Sequence, residues 1–108
     1  MRAKGEKAKQ DKIWKEAVRA RDKVCQMCPS DKLNKVLNAH HIIPREFQDY
    51  RWDINNGILL CVHHHKFGKF SAHKNAVWFL WWLSKHRQET WDWVSRIIID
   101  KISRGKLE

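Results

Sequence analysis

Two stretches, Ala39-His40-His41-Ile42-Ile43-Pro44 and Asn56-Gly57-Ile58-Leu59-Leu60-Cys61-Val62-His63-His64-His65, decide how this chain is read. Each joins a short apolar run to clustered histidines. Residues 36–43 have the composition of a strand ended by Pro44, and Ile58-Leu59-Leu60 reads as the returning strand of a hairpin. Paired histidines, an asparagine and a further histidine are parts from which a one-metal phosphodiesterase site can be built. Adjacent residues on a strand point to opposite sides, so His40 and His41 cannot both face one ion from a regular strand. Their roles must differ.

The three cysteines flank these stretches. Cys25 and Cys28 are separated by two residues, and so are Cys61 and His64, which gives two knuckles of the kind that converge on one tetrahedral zinc. Which of His63, His64 and His65 completes that set is open, with spacing favouring His64. The plain alternative, buried thiols beside a surface imidazole, explains one pair more easily than two. An odd number of cysteines, with no signal peptide and no apolar run of about 18 residues, argues against an extracellular disulfide framework and for a reducing cytoplasm.

A chain of 108 residues with 22 Lys and Arg against 12 Asp and Glu carries a formal charge of +10. That favours a polyanionic partner, nucleic acid before an anionic membrane surface. The basic residues concentrate in the first third, where Lys4, Lys7, Lys9, Lys12, Lys15, Arg19, Arg21, Lys23, Lys32 and Lys35 suit a patch that tracks phosphates. No dedicated base-reading module accompanies them.

Residues 1–10 read as a flexible basic arm, and Ile13, Trp14, Ala17, Val18 and Arg21 then mark a helix from Asp11 to about Asp22. Residues 45–55 form a long connection with a helical turn near 46–50. A helix follows Cys61 to about Lys69, and two more lie near 75–87 and 89–103. The run Ala76 to Leu83 is apolar on every side of a helix and too short to span a bilayer. Its reading is a helical hairpin buried on the core, joined by a stripe of Trp91, Val94, Ile98 and Ile102. Trp78, Trp81, Trp82, Trp91 and Trp93 are taken as core, as are Phe47, Phe67 and Phe70. The terminal Leu107-Glu108 is set aside as a cloning junction.

Taken in order, the Cys25/Cys28 knuckle, the His40-His41 strand end, Asn56 and His65 resemble the HNH endonucleases of the ββα-metal fold. The likeness is to their cysteine-containing form, common in phage and prophage genomes, and covers roughly residues 10–73. It implies an α+β fold with a ββα-metal core over 11–73, a zinc knuckle site and an N-terminal helix, on which the residues over 74–106, from their own apolar pattern, are expected to pack as a helical extension. It also implies that His41 is the general base and that His40 and His65 hold a catalytic divalent metal. Asn56 would hold the active-site loop, and Cys25, Cys28, Cys61 and His64 would bind structural Zn²⁺.

Two positions depart from common family patterns. Many members carry an aspartate where His40 stands, and some have a histidine where this chain has Lys69. An imidazole-rich site suits Mn²⁺ at least as well as Mg²⁺. The coordination shell, one protein ligand short, would be filled by water, phosphate or His73, while Lys69, one turn beyond His65, would meet a phosphate. Lys15 and Arg19 join Lys69 and His73 as expected nucleic-acid contacts. The implied activity is hydrolysis of DNA phosphodiesters, one strand per event, by a cytoplasmic monomer with phage packaging or restriction partners. The rival readings are a non-catalytic zinc-containing DNA-binding protein and a nuclease directed at RNA.

Overall fold

The N-terminal run is rich in Lys, Ala, Glu, Gln and Arg, all good helix formers, and it builds α1 over Lys4–Asp22. The structure, a computed structural model, describes residues 4–28 and 36–103. Lys32, Lys35 and Leu107-Glu108 lie outside the described residues, as does the side chain of Ile102. α1 starts earlier than the expected Asp11, so most of the segment read as a flexible arm is helical. No proline interrupts it, and the Gln10 amide donates to Glu6 one turn back at 3.1 Å. The helix stops at Lys23, whose φ of 67° turns the chain away and whose N–H bonds the Arg19 carbonyl at 2.8 Å.

β1 (Leu37–His41) and β2 (Gly57–Cys61) form a two-stranded antiparallel hairpin that pairs His41 with Gly57, His40 with Ile58 and Ala39 with Leu59. Alternation gives the hairpin two unlike faces. On one, Leu59 packs with Trp14 and Val18 of α1, and Ala39 lies against them. On the other, Ile58 and Leu60 pack with Cys25, Cys61, Ala72 and two residues further along the chain, Phe79 and Leu83. Gly57 lets α1 approach, since a Cβ there would lie 2.4 Å from Val18 Cγ2 and 2.8 Å from Trp14 Cζ2.

β1 ends at His41, short of the expected Pro44, because Asn56 captures the next backbone groups. Its Oδ1 accepts from Ile43 N at 2.7 Å, and its Nδ2 donates to the Ile43 and Tyr50 carbonyls at 2.9 and 3.1 Å. The connection contains a 3₁₀ turn at Gln48–Tyr50 and another at Ile54–Asn56. After β2 comes a five-residue π turn, His63–Phe67, in place of a helix reaching Lys69. α2 (Ala76–His86) is capped by Asn75, whose Oδ1 accepts from Trp78 N at 3.0 Å, and α3 (Gln88–Ser103) follows.

The apolar surfaces of this second half need correction. Phe47, Phe67 and Phe70 are exposed, Phe67 to 67%, because Ala72, Phe79, Ile58, Leu60 and the cysteines already fill the core beside the π turn. α2 buries only Phe79 and Leu83, leaving Val77 82% and Trp81 51% exposed. None of the five tryptophans taken as core is fully buried, and among the described side chains of the α3 stripe Val94 is buried, Trp91 half-buried and Ile98 exposed. No helix of the described residues is long and apolar enough to cross a membrane.

Candidate active site

On the α1 face, the His41 imidazole lies flat against the Trp14 indole, with ring centroids 3.8 Å apart and planes 4° from parallel. Its Nε2 is 2.9 Å from the Arg51 carbonyl oxygen. A carbonyl only accepts, so Nε2 carries the hydrogen and the neutral ring keeps its lone pair on Nδ1. Burial pulls His41 below the ordinary histidine value, against the opposing pull of that carbonyl and of Asp11. The carbonyl is itself held: the Arg51 guanidinium donates twice to the Asp11 carboxylate, at 2.9 and 2.7 Å, and Trp52 Nε1 donates to Asp11 at 2.8 Å. Arg51, first of all, holds the Asp11 carboxyl down to about 2.

On the opposite face, His40, His65 and His73 turn ring nitrogens toward one another, all within 4.8 Å. Nε2 of His65 and Nε2 of His73 are 3.0 Å apart, the spacing of two donors about 2.1 Å from one ion at a right angle. Asn38 Oδ1 lies 3.1 Å from His65 Nδ1 and can only accept there, so the His65 lone pair is on Nε2, toward the cluster. Burial, with help from the neighbouring histidines, pushes His40 down to about 3 and His65 to about 4, so both rings are neutral near pH 7, the form that ligates metal. His73 arrives through the backbone. Ala72 N and His73 N donate to the His64 and His65 carbonyls at 2.7 and 3.0 Å, folding the chain back on the π turn. Gly68 permits the reversal, because a Cβ there would meet His63 Nε2 at 2.7 Å.

A second cluster sits at the far end of the hairpin, formed by Cys25, Cys28, Cys61 and His64. His64 Nδ1 lies 3.6, 3.4 and 3.2 Å from the sulfurs of Cys25, Cys28 and Cys61, and the Cys28 and Cys61 sulfurs are 3.7 Å apart. Tetrahedral zinc with bonds of about 2.3 Å to sulfur and 2.0 Å to nitrogen needs edges of about 3.5–3.8 Å. The set fits zinc closely, and it resolves the histidine ambiguity to His64. No disulfide joins Cys25, Cys28 and Cys61. Burial pushes the Cys25 thiol up to about 11. Burial also acts upward on Cys61, yet hydrogen bonds led by the His64 N–H bring that thiol below its usual value.

An open cleft of about 830 Å³ is lined by His40, His41, His65 and His73 and by Lys15, Arg19, Arg45 and Lys66. Of the expected nucleic-acid contacts, Lys15, Arg19 and His73 line the cleft. Lys69 does not, and it is exposed in the turn beyond the π segment rather than one helical turn from His65. The sequence reading missed Arg45 and Lys66, and also Trp14, Asp11, Arg51 and Asn38 as neighbours of the histidines. Strand alternation could have flagged Asn38, which shares a face with His40.

A β-hairpin followed by a short helical turn, with imidazoles converging beside a Cys3His cluster, defines a metal-binding α+β core of the ββα-metal kind. Residues 22–73 match the family model described as HNH endonuclease. Neither the curated proteins nor the solved structures give a match.

Proposed function

We propose that the protein is a divalent-metal-dependent endonuclease that hydrolyses DNA phosphodiesters, with His41 as general base. His40, His65 and His73 would hold the catalytic ion, and Cys25, Cys28, Cys61 and His64 a structural zinc. The observation that carries this reading is the convergence of three imidazoles, beside a fourth of fixed tautomer, in one cleft lined by Lys and Arg. A bound divalent ion supplies charge stabilisation to the scissile phosphate and to the departing 3′ oxygen.

The chain's own residues supply the rest. The Nδ1 lone pair of His41 takes a proton from the attacking water, while the Nε2 hydrogen bond to Arg51 keeps the ring turned for it. Lys15, Arg19, Arg45 and Lys66 offset the charge of flanking phosphates without reading bases, so binding weakens as salt rises. Asn56 shapes the loop between the strands, a support role. Among the described residues, no carboxylate joins the three-imidazole cluster. Mn²⁺ is therefore expected to support activity at least as well as Mg²⁺. One base and one ion serve one strand per encounter, so a monomer should nick duplex DNA in the cytoplasm. Phage packaging and restriction are the settings in which partners would be sought.

The test is conversion of supercoiled plasmid to open-circle and linear forms in Mn²⁺, Mg²⁺ and EDTA. Open-circle DNA accumulating first in either metal and none in EDTA is the expected result. Salt-sensitive binding with no cutting in any metal would make the protein a binding module instead. Linear DNA with no nicked precursor would contradict single-strand action.

A further inference from the structure

α1 lies almost wholly outside the matched segment, yet its Trp14 stacks on the proposed base and its Asp11 holds the Arg51 side chain beside it. We infer that α1 is a positioning element for His41: Trp14 fixes the plane of its ring, and Asp11, through Arg51, fixes the carbonyl that sets its tautomer. This rests on the assignment of His41 as base.

The geometry closes in two loops. The Trp14 indole covers one face of the imidazole at 3.8 Å, so the ring cannot turn about its Cβ–Cγ bond without breaking that contact. Trp14 is immobile in turn. It is 2% exposed, packed with Val18 and Leu59, and its Nε1 donates to the Asp53 carbonyl at 2.9 Å. The second loop runs from the Asp11 carboxylate to the Arg51 guanidinium and on through that residue's backbone to the oxygen 2.9 Å from His41 Nε2. Trp14 and Asp11 sit three residues apart, on one side of the helix. A base whose lone pair is aimed in advance loses less freedom on the way to the transition state. Trp14, Asp11 and Arg51 are thus positioning residues rather than catalytic ones.

Plain electrostatics and positioning make opposite forecasts for Asp11, which lines a cleft rimmed by basic residues. Removing its charge by Asp11→Asn should favour DNA binding and so raise activity if charge alone matters. Positioning requires kcat to fall roughly 3- to 10-fold with KM unchanged or lower. Trp14→Leu should lower kcat roughly 10- to 100-fold, while Trp14→Phe, which keeps an aromatic face, should recover most of the loss. The readout independent of turnover is NMR correlation of the histidine ring nitrogens. His41 should show one tautomer, with hydrogen on Nε2, in the parent and in Trp14→Phe, and a mixture in Asp11→Asn. Should Trp14→Leu fail to fold, Asp11→Asn and the ring spectra decide. An unchanged or raised kcat in Asp11→Asn with a single His41 tautomer would overturn the positioning role. His41→Ala keeps this apart from the underlying assignment: if it cuts as well as the parent, the base lies elsewhere and the proposal falls with it. If it is inactive while Asp11→Asn cuts normally, only the positioning is wrong.

Discussion

The two faces of one hairpin, built from two five-residue strands, are held by different physics. On the α1 face, His41 is held by an indole stack, a carbonyl and an ion pair, all ordinary side-chain packing and hydrogen bonding. On the other face, His40, His65 and His73 bring their ring nitrogens together beside a Cys3His cluster, two groups that could each hold a metal ion. Strand alternation puts adjacent histidines into these two settings, so the proposed base and a proposed metal ligand occupy separate environments. The difference teaches that the faces should fail separately. One should respond to packing and the other to metal.

The largest effect is expected from the Cys3His cluster. Structural zinc contributes more free energy than a small domain's net stability, so Cys28→Ser should lose metal and cost about 5 kcal/mol or more, read as loss of a cooperative thermal transition. A parent-like melt with no zinc bound would remove the staple from this account. Next is Gly57→Ala, which overpacks the α1 face against Val18 and Trp14. It should cost about 1–3 kcal/mol by denaturant titration while zinc content stays at the parent level. Metal loss in that variant would mean that the faces are not independent.

Asp11 gives a smaller and pH-dependent effect. Its folded value of about 2 lies below the ordinary 3.8, so the native state holds fewer protons than the unfolded chain between those values. The ion pair's contribution is complete above about pH 5, disappears as pH falls toward 2, and should amount to roughly 1–2 kcal/mol. Asp11→Asn should flatten that part of the stability curve. An unchanged acid limb would show that the pair contributes nothing. The smallest effect is expected at Asn38, which orients His65 from behind. Asn38→Ala should weaken Mn²⁺ binding about tenfold by calorimetry with little change in thermal stability. Unchanged affinity would leave His65 oriented by its backbone alone.

Much of this was legible in the sequence because the signals were local. The two-residue gaps of Cys25/Cys28 and Cys61/His64 encode converging knuckles, and the apolar runs around His40 and before Cys61 encode the hairpin. Asn56 was recognised as a residue that holds the loop. What escaped depends on where remote segments meet. The stack of Trp14 on His41 and the reach of Asp11 to Arg51 arise from helix docking through Gly57, which no periodicity reveals. His73, rather than Lys69, comes beside His65 because Gly68 and two backbone hydrogen bonds reverse the chain after the π turn. The exposed Phe67 and Trp81 show the converse: apolar composition marked α2 and the turn before it as core, but α2 buries Phe79 and Leu83 fully and Leu80 and Trp82 only in part.

The most direct measurement of the divided roles is the Mn²⁺ dependence of plasmid nicking, compared among the parent, His41→Ala and His73→Ala. The account requires His73→Ala to raise the half-saturating Mn²⁺ concentration by roughly tenfold or more while recovering most of the rate at saturation. It requires His41→Ala to lose roughly 100-fold or more in rate at every Mn²⁺ concentration with the half-saturation unmoved. The opposite pattern, a metal-affinity defect in His41→Ala and a metal-insensitive rate defect in His73→Ala, would contradict it.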